Sequence, residues 1–360
     1  MQDETSVRLK LGEFEVEILR RVDLRKLYIE ISSLCNLRCK MCFRESTKEK
    51  KGMMEYDLFE RIFDDSLPEL EEVVFGGIGE PLMNPKIIEM AKFVKDRGLR
   101  LKLTTNGFLL TKEKIEAFLN LGIDEIVISC ETGDIGHSNV EHASNLIRMI
   151  SSMRDSMKMG KPLLTVSTVL TKKNLEDFPK MSEKLIKSGL DGMIVSNLLP
   201  VKEEFTDLVL YDGKTDPDRA LSIISSSLTA RVHTDLPNFS LVTERHCPFV
   251  NDKAVVIRWD GEVSPCYRFL YTMEEHHFGR KKILHSRSFG NVFERKLSDI
   301  WKSDEYIRFR FKVTMGLFPS CTDCKFRERC HFLDEVEYDC WGNDPTCADC
   351  LWWRRIAICP

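Results

Sequence analysis

Three cysteines near the start constrain this chain more than any other feature. Cys35, Cys39 and Cys42 are spaced C-x3-C-x2-C within Ser-Leu-Cys-Asn-Leu-Arg-Cys-Lys-Met-Cys-Phe. They follow Leu27-Tyr28-Ile29-Glu30-Ile31, an apolar, strand-like run. A loop leaving a strand can fold three thiolates around one metal cluster. A four-iron cluster is held by four cysteines, so a triad leaves one iron open, as a catalytic metal site requires. Such an iron can bind a small molecule and pass an electron to it. The alternative is a zinc knuckle or three unrelated thiols. A triad with no fourth cysteine or histidine nearby suits zinc poorly.

This motif resembles the signature of the radical S-adenosylmethionine (radical SAM) superfamily. The resemblance implies a [4Fe-4S] cluster on Cys35, Cys39 and Cys42 whose open iron chelates SAM. One electron then cleaves SAM to a 5′-deoxyadenosyl radical, which abstracts hydrogen from a substrate.

The rest of the composition bounds the setting. At 360 residues the chain is long for one core and comfortable for two domains. With 42% hydrophobic and 31% charged residues it reads as a soluble globular protein. A net charge of −4 supplies no basic footprint for broad nucleic-acid binding. No apolar run is long enough to span a bilayer. The start, Met-Gln-Asp-Glu-Thr, lacks the basic and apolar parts of a signal peptide. A cytoplasmic location is the expectation. Thirteen cysteines are many for a reducing compartment, where metal explains them better than disulfides. Apart from the triad and Cys130, all of them fall between Cys247 and Cys359.

The front half alternates apolar runs with amphipathic stretches. Residues 27–31, 72–75, 100–104, 125–129, 163–169 and 193–196 read as buried strands. Helical patterns cover 85–95, 112–121, 139–157 and 174–188, and Gly98, Gly122, Gly160 and Gly189 fit their ends. Such alternation predicts an α/β fold with a parallel sheet and helices outside. Periodicity alone fits either an open doubly wound sheet or a partial barrel. The resemblance implies the latter, a (β/α)6 partial TIM barrel, with a small Cys-rich α+β iron–sulfur domain behind it.

In a barrel of this kind the chemistry sits at the C-terminal strand ends. After the second strand comes Gly76-Gly77-Ile78-Gly79-Glu80-Pro81, which resembles the family's Gly-Gly-Glu element for the SAM amino group. The plain alternative is a glycine turn before a helix. After the third strand comes Thr104-Thr105-Asn106-Gly107, and after the fourth Ser129-Cys130-Glu131. The resemblance implies that Gly77, Gly79, Glu80, Thr105, Asn106 and Ser129 bind SAM, and that Met41 and Phe43 pack near its adenine. Thr168 and Asn197 end later strands and are further pocket candidates. Cys130 reads as a small buried hydrophobe.

The back half is metal-rich. Residues 254–259 and 262–264 read as a hairpin turning at Asp260-Gly261, with Cys247 before it and Cys266 after it. Downstream come Cys321, Cys324 and Cys330, then Cys340, Cys347, Cys350 and Cys359. The pattern C-x18-C, then C-x2-C-x5-C, together with Phe289-Gly290-Asn291-Val292 and Ile300-Trp301, resembles the SPASM extension of radical SAM maturases. That implies one or two auxiliary [4Fe-4S] clusters on these nine cysteines. Which cysteines pair is not readable from spacing. Relatives often carry a further cysteine where this chain has Asp334, and Cys340 onward can take over its role. A pair of zinc ribbons is the alternative. The ending from Cys340 to Pro360, with Cys340-Trp341-Gly342 and Leu351-Trp352-Trp353, resembles radical SAM maturases that accompany tungsten-cofactor aldehyde oxidoreductases. Trp352 and Trp353 either cap the metal domain or seal a cluster from water.

The expected division is an N-terminal strand or hairpin extension (1–26), the partial barrel (27–199), a bridging segment (200–246) and a SPASM-like domain (247–360). The expected function is a radical maturase that modifies a protein, a peptide or the cofactor of a tungsten-dependent aldehyde oxidoreductase. Its expected partners are an electron donor such as ferredoxin or flavodoxin and the protein substrate. The alternatives are a radical peptide crosslinker, or an iron–sulfur carrier or zinc-stabilised interaction protein without catalysis. No acid or base stands out. Glu131, Tyr267 and Asp334 are among those able to reach the mouth.

Overall fold

The structure, a computed structural model, describes residues 5–63, 66–133, 136, 139–229, 231–241, 245–277 and 279–358. A hairpin of β1 (Ser6–Leu11) and β2 (Phe14–Leu19) comes first. Six β/α units follow. Their strands are β3 (Lys26–Ile29), β4 (Glu72–Phe75), β5 (Arg100–Thr105), β6 (Glu125–Ser129), β7 (Leu163–Leu170) and β8 (Gly192–Asn197). Their helices are α1 (Tyr56–Ile62), α2 (Ile87–Asp96), α3 (Lys112–Leu121), α4 (Val140–Ser156), α5 (Phe178–Lys187) and α6 (Pro217–Ser225). The six strands pair in parallel and in sequence order, the α/β arrangement of a partial TIM barrel.

Local chemistry explains these elements. Val73, Val74 and Phe75 are all fully buried, so β4 is covered on both faces, as parallel strands between helices and a filled interior must be. Thr111 caps α3 through the Lys114 amide, and Gly122 ends it at φ +69°. Gly98 and Gly189 also take left-handed conformations after α2 and α5. After α4 the expectation differs from the structure. Lys158, two residues before Gly160, adopts the left-handed turn at φ 54°.

The back half does not stand apart from the barrel. Strand β9 (His233–Asp235) extends the sheet beyond β8. After a four-residue helix, α7 (Pro248–Asn251), β10 (Ala254–Ile257) returns to pair in parallel with β3. Its hairpin partner β11 (Val263–Ser264) forms the far edge. The sheet of nine strands thus runs β11-β10-β3-β4-β5-β6-β7-β8-β9. A small second sheet combines β12 (Met273–His277), β13 (Arg280–Leu284) and β14 (Glu335–Val336). Helices α8 (Leu297–Trp301) and α9 (Asp304–Thr314) complete the back half. One hydrophobic core is continuous from Leu27 through Ile128 to Trp301, Cys347 and Trp353.

The tail lies across the open side of the sheet, bonded to the C-terminal end of β8 and to the segment before α7. Asn197 Nδ2 donates to Ile356 O (3.0 Å), and Ile358 N donates to Ser196 Oγ (3.0 Å). His246 N donates to Trp353 O (2.8 Å). The tail therefore occupies the place where further strands would close a full barrel.

Candidate active site and cluster-binding thiols

The loop after β3 carries the cysteine triad. Two backbone bonds anchor it: Ser33 N to Gly52 O (3.0 Å) and Met54 N to Ile31 O (2.9 Å). Within it, Cys42 N donates to Cys39 O (3.1 Å), and Arg44 Nη2 holds Leu37 O (2.8 Å). The Leu37 amide points at Cys35 Sγ (3.4 Å), and Asn106 Nδ2 reaches the same sulfur from the end of β5 (3.7 Å). Burial, reinforced by the neighbouring thiols, pushes the Cys42 thiol up to about 11. The three sulfurs form one group at the mouth of a cavity of about 330 Å³.

That cavity brings together the residues singled out on the strand ends. Gly77, Gly79, Glu80, Thr105, Asn106 and Ser129 all line it, together with Cys35, Cys39 and Cys42. Met41 and Phe43 line it too, as does Asn197. Thr168 does not. It is fully buried, while its neighbours Ser167 and Val169 face the cavity, because side chains alternate along β7. Cys130 is likewise fully buried in the main core.

Glu80 is the structural centre of the rim. It is 1% exposed, and its carboxylate accepts three hydrogen bonds from this chain. Thr105 Oγ1 (2.7 Å) and Leu82 N (3.0 Å) donate to Oε1, and Asn106 N (2.7 Å) donates to Oε2. Burial raises its pKa, and these donors oppose the rise. Glu80 therefore joins the loop after β4 to the turn after β5. Gly79 must be glycine: a Cβ would stand 2.3 Å from Ser32 O and 2.6 Å from Ser33 Cα. Gly77, at φ +126°, lies against Glu30 in the same way.

Glu30 is a site residue that the sequence reading passed over. Its one available signal is a carboxylate inside the apolar run 27–31. Fully buried, it accepts a hydrogen bond from Ile78 N (3.0 Å) and another from Tyr271 Oη. It thus ties the glycine loop to the back half. Burial pushes its carboxyl up to about 7, with Tyr271 and the Ile78 amide pulling the other way. Glu131 lines the cavity and accepts from Val169 N (3.0 Å), and burial pushes it up to about 8. Tyr267 lines the cavity as well, whereas Asp334 is paired with Arg280 away from it.

The remaining thiols fall into two groups. Cys247, Cys266, Cys347 and Cys350 surround a void of about 20 Å³. Burial, then the nearby thiols, raises Cys247 to about 12 and Cys266 and Cys347 as well. Cys247 precedes α7 and Cys266 follows β11, so the hairpin carries two corners and the tail the other two. Cys321, Cys324, Cys330 and Cys340 form the second group. Burial pushes Cys321 up to about 12, and Cys340 and Cys330 add to this. Cys340 is raised by burial and then, among other groups, by Cys330 and Cys324. Cys324 and Cys340 are exposed, so this group lies at the surface. Cys321 N donates to Ala348 O (3.1 Å), joining the two groups through the backbone. Cys359 lies outside the described residues.

These donor sets fit iron–sulfur clusters: a thiol triad with an open side, and two sets of four thiols. Among the described residues no three Cys, His, Asp or Glu side chains converge as one metal ion would need. His246 is engaged with Asn251. Between the two sets lies a buried ion network. Asp349 accepts from Arg268 Nη2 (2.8 Å) and from Lys282 Nζ. Burial works against its charge, but the two cations hold it well below the usual carboxylate range.

A barrel with a thiol triad at its mouth and two further thiol sets beside it defines a class: iron–sulfur enzymes that bind SAM. Comparison with known proteins agrees. Residues 29–185 match the Radical SAM superfamily, and residues 247–325 match an iron–sulfur cluster-binding domain, SPASM. The chain is 43% identical over 346 residues to the tungsten-containing aldehyde ferredoxin oxidoreductase cofactor-modifying protein of Pyrococcus furiosus, covering 94% of this chain and 97% of that one. It is 22% identical over 342 residues to a PqqA peptide cyclase of a Methylobacterium species, covering 89% and 85%. Among solved structures, Streptococcus suis SuiB bound to S-adenosylmethionine matches with a TM-score of 0.60 at 18% identity, covering 87% and 73%. The AdoMet-bound anSMEcpe matches with a TM-score of 0.57 at 17% identity, covering 85% and 84%. The chain belongs to the radical SAM superfamily and is an enzyme of that superfamily with a SPASM domain. Its radical SAM domain binds a [4Fe-4S] cluster and SAM, and its SPASM domain binds auxiliary iron–sulfur clusters.

Proposed function

We propose that this protein is a radical maturase that modifies the cofactor of a tungsten-dependent aldehyde oxidoreductase. The observation that carries the reading is the 43% identity to the Pyrococcus furiosus cofactor-modifying protein across nearly the whole of both chains. Relatives named for peptide cyclisation stand at 22% and 23%. The parts are assigned as follows. Residues 1–26 are the N-terminal extension, 27–199 the barrel, 200–246 the bridge and 247–360 the SPASM domain. Cys35, Cys39 and Cys42 hold the SAM-binding cluster. Cys247, Cys266, Cys347 and Cys350 hold one auxiliary cluster, and Cys321, Cys324, Cys330 and Cys340 hold the other. Gly77, Gly79, Glu80, Thr105, Asn106 and Ser129 form the SAM pocket. A ferredoxin or flavodoxin supplies the electron, in the cytoplasm.

A cluster held by Cys35, Cys39 and Cys42 would supply the one-electron reduction of SAM on which radical chemistry at the substrate depends. This chain's residues do the rest. Glu80 fixes the rim so that the backbone after β4 meets the amino acid part of SAM. Glu30 holds the same loop from behind. Met41, Phe43 and Trp352 give the cavity an apolar side that keeps water from the radical. Glu131 faces the cavity with its carboxyl raised by burial.

Anaerobically reconstituted and reduced protein is expected to form 5′-deoxyadenosine from SAM, and Cys39→Ala to form none. Product at the wild-type rate from that variant would refute the triad's role. The substrate is tested separately, by producing a tungsten-dependent aldehyde oxidoreductase with and without this protein. Activity only when the two are made together is the expected result. Equal activity in both, with a crosslinked peptide instead, would move the assignment to peptide modification.

A further inference from the structure

Arg268 is a buried cation beside the inner thiol set. It is 2% exposed, lies two residues after Cys266, and lines the same void as Cys247, Cys266, Cys347 and Cys350. Its Nη2 is taken by Asp349. Its Nε and Nη1 are buried without a hydrogen-bond partner. Leaving charged N–H groups unpaired in a protein interior is costly, and natural interiors avoid it unless something absent from the bare polypeptide receives them. Asp349 cannot turn to do so, because its second oxygen already accepts from Lys282 Nζ. The Glu275 carboxylate stands 3.8 Å from Nη2, beyond hydrogen-bond range. Arg268 itself lines the void between the four sulfurs.

Sulfide and thiolate sulfurs of a cluster accept N–H hydrogen bonds. Each such bond, and each nearby positive charge, favours the more negative, reduced state. We infer that Arg268 donates from its unpartnered Nε and Nη1 to the cluster held by Cys247, Cys266, Cys347 and Cys350, and so raises the potential at which that cluster takes an electron. The inference rests on the proposed assignment of a cluster to these four cysteines. Asp349 acts as the positioning residue: it holds the guanidinium plane by one edge and leaves the other edge toward the sulfurs. Tyr267 and Trp352 line both this void and the SAM cavity. The tuned cluster is therefore the auxiliary one that adjoins the reaction space, while the other set reaches the surface through Cys324 and Cys340.

The test is an EPR-monitored redox titration of the full-length, anaerobically reconstituted protein. Its variants are Arg268→Lys, which keeps the charge but loses the fork, and the charge-balanced pair Arg268→Gln with Asp349→Asn. The signal of the inner cluster is identified by its loss in Cys350→Ala. In both variants its reduced-to-oxidised ratio at a fixed potential is expected to fall about tenfold, a downward shift of about 59 mV for a one-electron couple. The other two clusters should titrate unchanged. Independently, wild-type protein labelled with 15N-arginine should show a guanidinium nitrogen coupled to the reduced inner cluster in pulsed EPR. An unmoved potential with iron content retained, or no nitrogen coupling in the wild type, overturns the inference. If the wild type lacks the inner signal and its share of iron, the cluster assignment fails first, and the inference with it.

Discussion

Single residues around the cavity separate chemistry from scaffolding. Glu80→Ala removes an acceptor that three donors share. It should weaken SAM binding by about 3 kcal/mol, roughly a hundredfold, in anaerobic calorimetry. Unchanged affinity would show that the rim holds without it. Glu30 gives a pH signature. Its carboxyl is raised from 4.5 to about 7, so the folded protein binds its proton more tightly than the unfolded chain does. Stability from that proton is complete below about pH 4.5 and is lost as pH rises through about 7. Glu30→Gln has no such proton to lose. Between pH 5.5 and 7.5 the stability difference should move in the variant's favour by about 2 kcal/mol. Parallel unfolding curves of variant and wild type across that range would contradict the assignment. Of these two residues, Glu80 was legible in the sequence because a glycine-rich motif flags it. Glu30 was not, because a lone acid in a strand has no spacing to mark it. Only its burial beside Gly77 and Tyr271 exposes its role.

At the level of elements, the loops after β3 and β4 are packed backbone to backbone. Gly79→Ala would drive a methyl group into Ser32 O and Ser33 Cα, which no rotamer change can relieve. The cost should be about 1–3 kcal/mol, with SAM binding lost alongside it. Gly160→Ala is the control, since no heavy atom lies within 4 Å of its added carbon. Differential scanning of the two variants distinguishes close approach from mere chain freedom: equal melting temperatures would argue against the packing. The six strands and four of their helices, α2 to α5, were readable from hydrophobic periodicity, most closely α3 at 112–121; the short α1 was not. The hairpin after Cys247 was readable too. Its docking of β10 on β3 was not, because strand pairing across 228 residues leaves no local pattern.

On the scale of the whole molecule, the tail is the piece that makes an open barrel usable. Trp352, Ala357 and Ile358 separate the cavity beside the thiol triad from a second cavity of about 680 Å³ at the opposite, N-terminal ends of the strands. Phe43, beside the triad's Cys42, packs on Trp352 with ring centroids 6.1 Å apart. Trp352→Ala should connect the two spaces and admit water and reductant. We expect 5′-deoxyadenosine formed in the absence of substrate to rise several-fold, measured by chromatography, at unchanged iron content. A rate equal to wild type would mean that the tail is no partition. Among the described residues no helix is long and apolar enough to cross a membrane.

What the sequence determined by itself was local: the spacing of the triad, the glycine motif at a strand end, and the alternation that builds a parallel sheet. Each depends on residues within a few positions of one another, so order along the chain is enough. What only the tertiary structure decided was which distant groups meet. The sorting of eight cysteines into two sets, the place of Arg268 among four of them, and the tail's position in the barrel's gap all join segments far apart in sequence. Burial and backbone pairing select those contacts, and neither is encoded in the identity of a cysteine or an arginine alone.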